Sequence, residues 1–218
     1  SMKTNQAYKN AALAALNGNW APVIVATIIY FVITIIVSLM SELYDPETSA
    51  GAVAGVAILG WLVLSLFASI PLGVGYYNSL NLLLVEGDNQ VTGNMFKIGY
   101  GNLLRNLGGM LLVGVFTFLW TLLLIIPGII KSLAYSMTPF ILKDYPELSA
   151  NQAINLSMKM MEGRKFDLFY LYLSFIGWGI LALFTLGIGY LWLMPYMYTS
   201  TAAFYQNVKE EYITNNNN

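Results

Sequence analysis

Residues 20–40 read WAPVIVATIIYFVITIIVSLM and contain no charged side chain. A helix rises about 1.5 Å per residue, so about 20 apolar residues match a hydrocarbon layer roughly 30 Å thick. The preceding Asn10, Asn17, Gly18 and Asn19 are too polar to lengthen this span. Working outward, four more charge-free runs cover residues 48–85, 106–130, 132–142 and 168–208. The first of these reads as one helix over 52–85, kinked at Pro71 within Ile70-Pro71-Leu72-Gly73. The next gives a span over 107–126, stopped by Pro127-Gly128, which a helix tolerates poorly. A shorter span follows at 129–142, with Lys131 near one end. The last run holds two spans, 168–186 and 189–205, hinged at Leu186-Gly187-Ile188-Gly189. The pattern predicts an all-α polytopic membrane bundle of six transmembrane helices, a single domain over 1–214 with a disordered tail at 215–218. A seven-span version, with 52–85 crossing twice, is its rival.

Composition sets the class. The chain has 218 residues, 10 Lys+Arg, 11 Asp+Glu, no His and no Cys, and 57% are hydrophobic; mean hydropathy is +0.63. Charged residues make up 10%, against roughly 25% in soluble domains. That excludes an ordinary soluble domain, a disordered chain, a disulfide-stapled scaffold and a nucleic-acid binder working through a basic surface. Without imidazole or thiolate, Cys/His zinc sites, haem attachment and Ser-His or Cys-His catalysis are excluded too. No cofactor, metal site or enzymatic activity is expected.

The placement of basic residues predicts orientation, because short cytoplasmic loops are enriched in Lys and Arg. With six spans, Lys3, Lys9, Lys97, Arg105, Lys143, Lys159, Arg164, Lys165 and Lys209 share one side, and only Lys131 falls opposite. The opposite side receives the 41–50 loop with Glu42, Asp45 and Glu47. Splitting 52–85 would separate Lys3 and Lys9 from the rest, which favours six spans. Both termini are therefore expected in the cytoplasm. Ser1 before Met2 reads as a tag-cleavage scar, and no separate signal peptide is expected.

A threefold pattern runs through the chain. Breaks recur at Pro71/Gly73, Pro127/Gly128 and Gly187/Gly189, each preceded by a tryptophan (Trp61, Trp120, Trp178). Amphipathic segments lie between the spans, the clearest at 146–163, with weaker ones at 3–16 and 92–104. In 146–163, Pro146 suits the first helical turn and Gly163 the C-terminal cap. Ala150, Ala153, Ile154, Ser157, Met158 and Met161 share one face. These features predict three tandem units, each an interfacial helix plus a membrane hairpin. Each interfacial helix reads either as a connector capping the bundle or as a contact for lipid headgroups or a partner, with Arg164-Lys165 reaching phosphates.

A carboxylate within the bilayer marks a functional site by default, and no predicted span contains one; Asp167 comes closest. This argues against proton-coupled transport and intramembrane proteolysis. Lys131 reads as a snorkelling residue, or as a lipid-phosphate contact. Asn78 and Asn81 share a helical face and read as interhelical glue, or as the lining of a polar path with Tyr135. Trp20, Trp192 and several tyrosines lie near span ends, where aromatic belts form.

The run Leu124-Ile125-Ile126-Pro127-Gly128-Ile129-Ile130-Lys131 resembles part of a bacterial integral-membrane family. So do Tyr135-Ser136-Met137, Pro146-Glu147-Leu148-Ser149-Ala150 and Met161-Glu162-Gly163-Arg164-Lys165, together with Thr185-Leu186-Gly187-Ile188-Gly189 and Pro195-Tyr196. The family is domain of unknown function nine-seven-five, common in Firmicutes. It is distantly similar to the membrane domain that precedes some glycerophosphodiester phosphodiesterases. The match covers 105–206 and extends more loosely through Pro71-Leu72-Gly73-Val74-Gly75. The resemblance implies a bacterial cytoplasmic-membrane protein and carries over no catalytic residue. The expected role is non-enzymatic: membrane-organising, lipid-interacting, accessory or protective. Membrane lipids are the expected partners, with a membrane-protein partner or a second copy also open. The competing role is a transporter, channel or lipid flippase with a polar path near Asn78, Asn81 and Tyr135.

Overall fold

The computed structural model describes residues 4–42 and 51–216, and the described residues form helices without a strand. The loop predicted at 41–50 lies largely outside them, as do Lys3, Asp45 and Glu47. Eleven helices follow in order: α1 (Asn5–Leu16), α2 (Trp20–Glu42), α3 (Gly51–Glu86), α4 (Val91–Gly101), α5 (Leu103–Leu123) and α6 (Ile125–Tyr135). Then come α7 (Thr138–Asp144), α8 (Ala150–Met160), α9 (Lys165–Leu173), α10 (Ile176–Phe184) and α11 (Tyr190–Asn216). Among the described residues, five stretches are long and apolar enough to cross a membrane: Trp20–Leu39, Ile58–Glu86, Leu103–Leu123, Ile125–Asp144 and Lys165–Phe184. By length and composition this is a membrane protein.

In hydrocarbon every backbone group must bond internally, so β-branched residues that disfavour helix in water are helical here. Hydroxyls follow the same rule. Thr27, Thr34 and Ser38 on α2 donate to the carbonyls of Val23, Tyr30 and Thr34, one turn back, at 2.7–2.9 Å. The polar atoms of an apolar span are thereby satisfied within it.

α3 runs through Pro71 as a single helix, so 52–85 does not divide. Proline removes one helix bond there; the Tyr100 hydroxyl donates to the nearby Ala68 carbonyl at 2.9 Å. The other predicted stops move. α5 ends at Leu123 and the chain breaks at Leu124, whose backbone is extended. Pro127 then lies in the first turn of α6, where its missing N–H has no partner to lose. Gly128 serves closeness: a Cβ there would sit 2.5 Å from the Thr121 hydroxyl across the hairpin. The predicted 129–142 span is two helices, α6 and α7, parted at Ser136-Met137; 168–186 is likewise α9 and α10, parted at Ser174-Phe175. The turn into α11 has Leu186 and Gly187 at positive φ, 56° and 85°. α11 continues through Pro195 to Asn216, so Asn215 and Asn216, expected in a disordered tail, are helical.

Burial is concentrated at one end of the bundle. Tyr8, Ala12 and Leu16 of α1, Leu72, Tyr76 and Leu80 of α3, and Phe204 and Tyr205 of α11 are buried with α4, α7 and α8. At the other end Leu59, Leu122, Leu124, Ile125 and Phe184 stay exposed. Four basic residues, Arg105, Lys143, Arg164 and Lys209, make their contacts at the buried end. The helices thus converge where the basic residues are and leave apolar surface uncovered beyond, which is the surface a bilayer would solvate.

Candidate functional site: the polar seam at the basic end

The basic end is held by backbone contact and by polar side chains that reach across helices. α3 and α4 cross at glycines. A Cβ on Gly75 would lie 1.8 Å from the Met95 carbonyl oxygen, and one on Gly99 would lie 2.3 Å from the Pro71 carbonyl oxygen. Asn106, at the start of α5, donates to the carbonyls of Ile98 and Gly99 at 2.9 Å each and so ties α5 to the end of α4. Its neighbour Arg105 gathers the end of α7, donating to the carbonyls of Leu142 (3.4 Å), Tyr145 (2.8 Å) and Leu148. A guanidinium suits this task because its five donors lie in a fixed fork.

A second set joins α7, α9 and α11. Asp144 accepts from the Tyr205 hydroxyl at 2.9 Å and from Lys209 at 2.5 Å, with Lys143 3.5 Å away. Arg164 grips both carboxylate oxygens of Glu211 and lies 3.6 Å from Asp167. The Glu211 hydrogen bond raises the Arg164 pKa, against a smaller opposing effect of burial. An open polar cavity of about 720 Å³ lies beside this pair, edged by Lys159, Glu162, Tyr212 and Asn215. α1 docks through the Tyr8 hydroxyl on Asn207 at 2.7 Å and through Lys9, which donates to the Ser174 carbonyl at 3.1 Å.

The residues singled out from sequence divide among separate places. Asn78 is buried and donates to the Val74 carbonyl on its own helix and to the Pro139 carbonyl of α7 at 3.0 Å. Asn81, also buried, accepts from Gln206 of α11 at 2.8 Å. Both amides make bonds between elements. Tyr135 is buried with Ala134, Ile154 and Phe116. Lys131 lies 4.8 Å from the centre of the Trp120 ring across the α5–α6 hairpin. Lys165 opens α9, half-buried beside the paired Arg164. Of the glycine hinges, a Cβ on Gly73 would meet only the Tyr30 hydroxyl, at 3.6 Å, whereas one on Gly189 would lie 3.0 Å from both Ala182 and Thr185.

The amphipathic segment at 146–163 begins its helix at Ala150 rather than Pro146. Ser149 caps it, in a capping box with Gln152, and Gly163 takes positive φ just beyond its end. Its buried face, Ala153, Ile154, Ser157 and Met160, packs on α5, α6 and α7. Ser157 donates to the Ala134 carbonyl at 2.7 Å and accepts from the Met137 N–H at 3.2 Å. The face that sequence offered to lipid or to the bundle is turned to the bundle.

Two further hollows matter. One of about 290 Å³ lies among Tyr30, Ser69, Gly73, Tyr77, Met110 and Pro139. Among the described residues, the side-chain oxygens Asn78 Oδ1 and Thr199 Oγ1 are buried without a hydrogen-bond partner. The other, of about 460 Å³, is apolar and runs between α1 and the α10–α11 hairpin. Among the described residues no group of three or more Asp or Glu side chains is placed to hold a metal ion.

Sequence reasoning missed Gly75, Gly99, Arg105, Asn106 and Asp144. The glycines stood in plain view as Gly73-Val74-Gly75 and Gly99-Tyr100-Gly101, but only the crossing tells which member of each pair meets a backbone. Comparison with known proteins finds no match among curated proteins or solved structures. The model of one family, described as Protein of unknown function (DUF975), matches residues 62–212, from the middle of α3 to near the end of α11, and the chain belongs to that family.

Proposed function

We propose that this is a non-enzymatic, six-span protein of the bacterial cytoplasmic membrane, with both termini in the cytoplasm, that organises or handles membrane lipid. The observation that carries the reading is the division of the molecule: a densely packed, hydrogen-bonded basic end and a wide apolar surface beyond it. α11 supplies the sixth crossing. Its first part is apolar, and its polar side chains from Thr199 to Thr201 are buried against the other helices. The placement of α1, α4 and α8 before successive hairpins supports the three-unit arrangement. Because α8 turns its apolar face inward, the lipid contact passes to the outer ends of α2, α3, α5, α6 and α10, where the large apolar side chains are exposed.

A transport reading has one observation in its favour, the buried oxygens of Asn78 and Thr199, unpartnered among the described residues. A buried water at each atom would satisfy it without any passage, so the first reading is preferred. The test is cysteine accessibility in whole cells together with native mass spectrometry from mild detergent. Glu47→Cys should label from outside and Lys159→Cys only after permeabilisation, and the purified protein should carry phospholipid. Reversed labelling would overturn the orientation. A lipid-free protein that conducts solutes in vesicles would overturn the role.

A further inference from the structure

We propose that the groove between α1, the start of α2 and the α10–α11 hairpin is a site for one phospholipid, its acyl chain in the groove and its phosphate at Lys9. The inference rests on the lipid-handling reading above and names the place where lipid is held. The groove has about 460 Å³, within the range of about 300–1,000 Å³ for small-molecule sites. Its floor, Ala182 and Leu193, is buried, and its walls include Leu13, Trp20, Trp178 and Trp192. Three of the five tryptophans of the chain therefore meet at one hollow.

The polar groups around the groove match the rest of a phospholipid. Trp61 donates its indole N–H to the Val37 carbonyl at 2.7 Å. The indoles of Trp20, Trp178 and Trp192, by contrast, donate to no acceptor among the described residues, which leaves three donors for ester carbonyls. Lys9 stands one helical turn before Leu13 on α1, with its ammonium 4.4 Å from the centre of the Phe175 ring. The Phe175 ring in turn packs edge-on against Tyr196, which lines the groove, at 5.0 Å. Arg164, Lys143 and Lys209 all have carboxylates within 4 Å. Lys9 has none among the described residues, only the Ser174 carbonyl. Burial lowers the Lys9 pKa, a desolvation that an adjoining phosphate would offset. An apolar slot, free indole donors and, one ring beyond the slot across Phe175, a cation without a carboxylate partner match the parts of a phospholipid read in order from tail to head.

The test is native mass spectrometry of the full chain in mild detergent with added palmitoyl-oleoyl phosphatidylglycerol. Wild type should retain one lipid against collisional activation. Lys9→Glu should weaken retention at least about fivefold, the worth of one lysine–headgroup attraction of about 1 kcal/mol, and Trp178→Ala combined with Trp192→Ala should separately weaken it. Lys9→Arg should keep it, and Lys159→Glu on α8 should leave it unchanged. Leu13→Trp, which fills the groove from α1, gives an independent arm if Lys9→Glu folds poorly. Undiminished retention in the tryptophan pair and in Leu13→Trp would overturn the groove while leaving lipid handling intact. A wild type that binds no phospholipid at all would overturn both.

Discussion

Replacing Gly75 with alanine would place a Cβ 1.8 Å from the Met95 carbonyl oxygen and 2.7 Å from its carbon. Carbon and carbonyl oxygen approach no closer than about 3.3 Å even in favourable C–H···O contacts, so α4 must retreat by about 1.5 Å. Neither partner can swing away, because the obstructing atoms are backbone. A gap of about 0.5–1 Å already forfeits a quarter to a half of a van der Waals contact. The side chains packed at this crossing, Leu72, Val91 and Met95, are fully buried. Each is worth about 1.5–3 kcal/mol when buried, so losing that share of three comes to about 2–3 kcal/mol. Alanine recovers up to about 1 kcal/mol of helix propensity, leaving a net loss of about 2 kcal/mol. For a chain of this size that lowers the melting temperature by roughly 4–8 °C. The measurement is thermal unfolding in detergent, followed by intrinsic fluorescence and by recovery on size exclusion. Gly108→Ala on α5, where a Cβ meets nothing within 4 Å, is the control and should melt at or above wild type. A Gly75→Ala protein that melts with the control would refute the backbone crossing and the position of α4 with it.

Two other outcomes follow from the seam. Arg105→Ala removes a cation from three carbonyls at the end of α7 and should cost about 2–3 kcal/mol, while Arg105→Lys, with one compact donor head, should recover less than half; an alanine variant with wild-type melting would show the fork to be idle. Asp88 receives the Asn94 side chain and the Gln90 N–H at 2.9 Å each, and these bonds hold its pKa below the ordinary 3.8. A carboxylate depressed in the folded chain contributes stability above its unfolded value, and loses it as pH falls through the folded one. The melting gap between wild type and Asp88→Asn should therefore be constant above about pH 5 and close below about pH 4; a gap independent of pH would remove the carboxylate from the account.

The membrane class and the all-helical architecture were legible in the sequence because both depend on sums over neighbouring residues. Residues 20–40 are apolar whatever they pack against, and a backbone in hydrocarbon has few structures open to it. The amphipathic segments were legible for the same reason, since a period along one helix is a local property. The sites where helices stop were read less well. Pro127 marked the right neighbourhood but not the break, because a proline that ends one helix also fits the first turn of the next. The breaks at Ser136-Met137 and Ser174-Phe175 hold no proline or glycine themselves, and Pro139 and Gly177 stand just beyond them, already inside α7 and α10.

The seam itself could not be read along the chain. Asn78 and Asn81 stood out because an amide in an apolar run needs a partner, but the partners, Pro139 and Gln206, lie 61 and 125 residues away. Arg105 reads as one more cytoplasmic charge until α7 is folded beneath it. α8 has one apolar face in any setting, and only packing decides that the face meets α5, α6 and α7 instead of lipid. Hydropathy is a property of each segment and determined the solvent this protein belongs in. Which carbonyls an arginine gathers, and which glycine yields to a neighbouring backbone, are properties of pairs distant in sequence, and only the tertiary structure decided them.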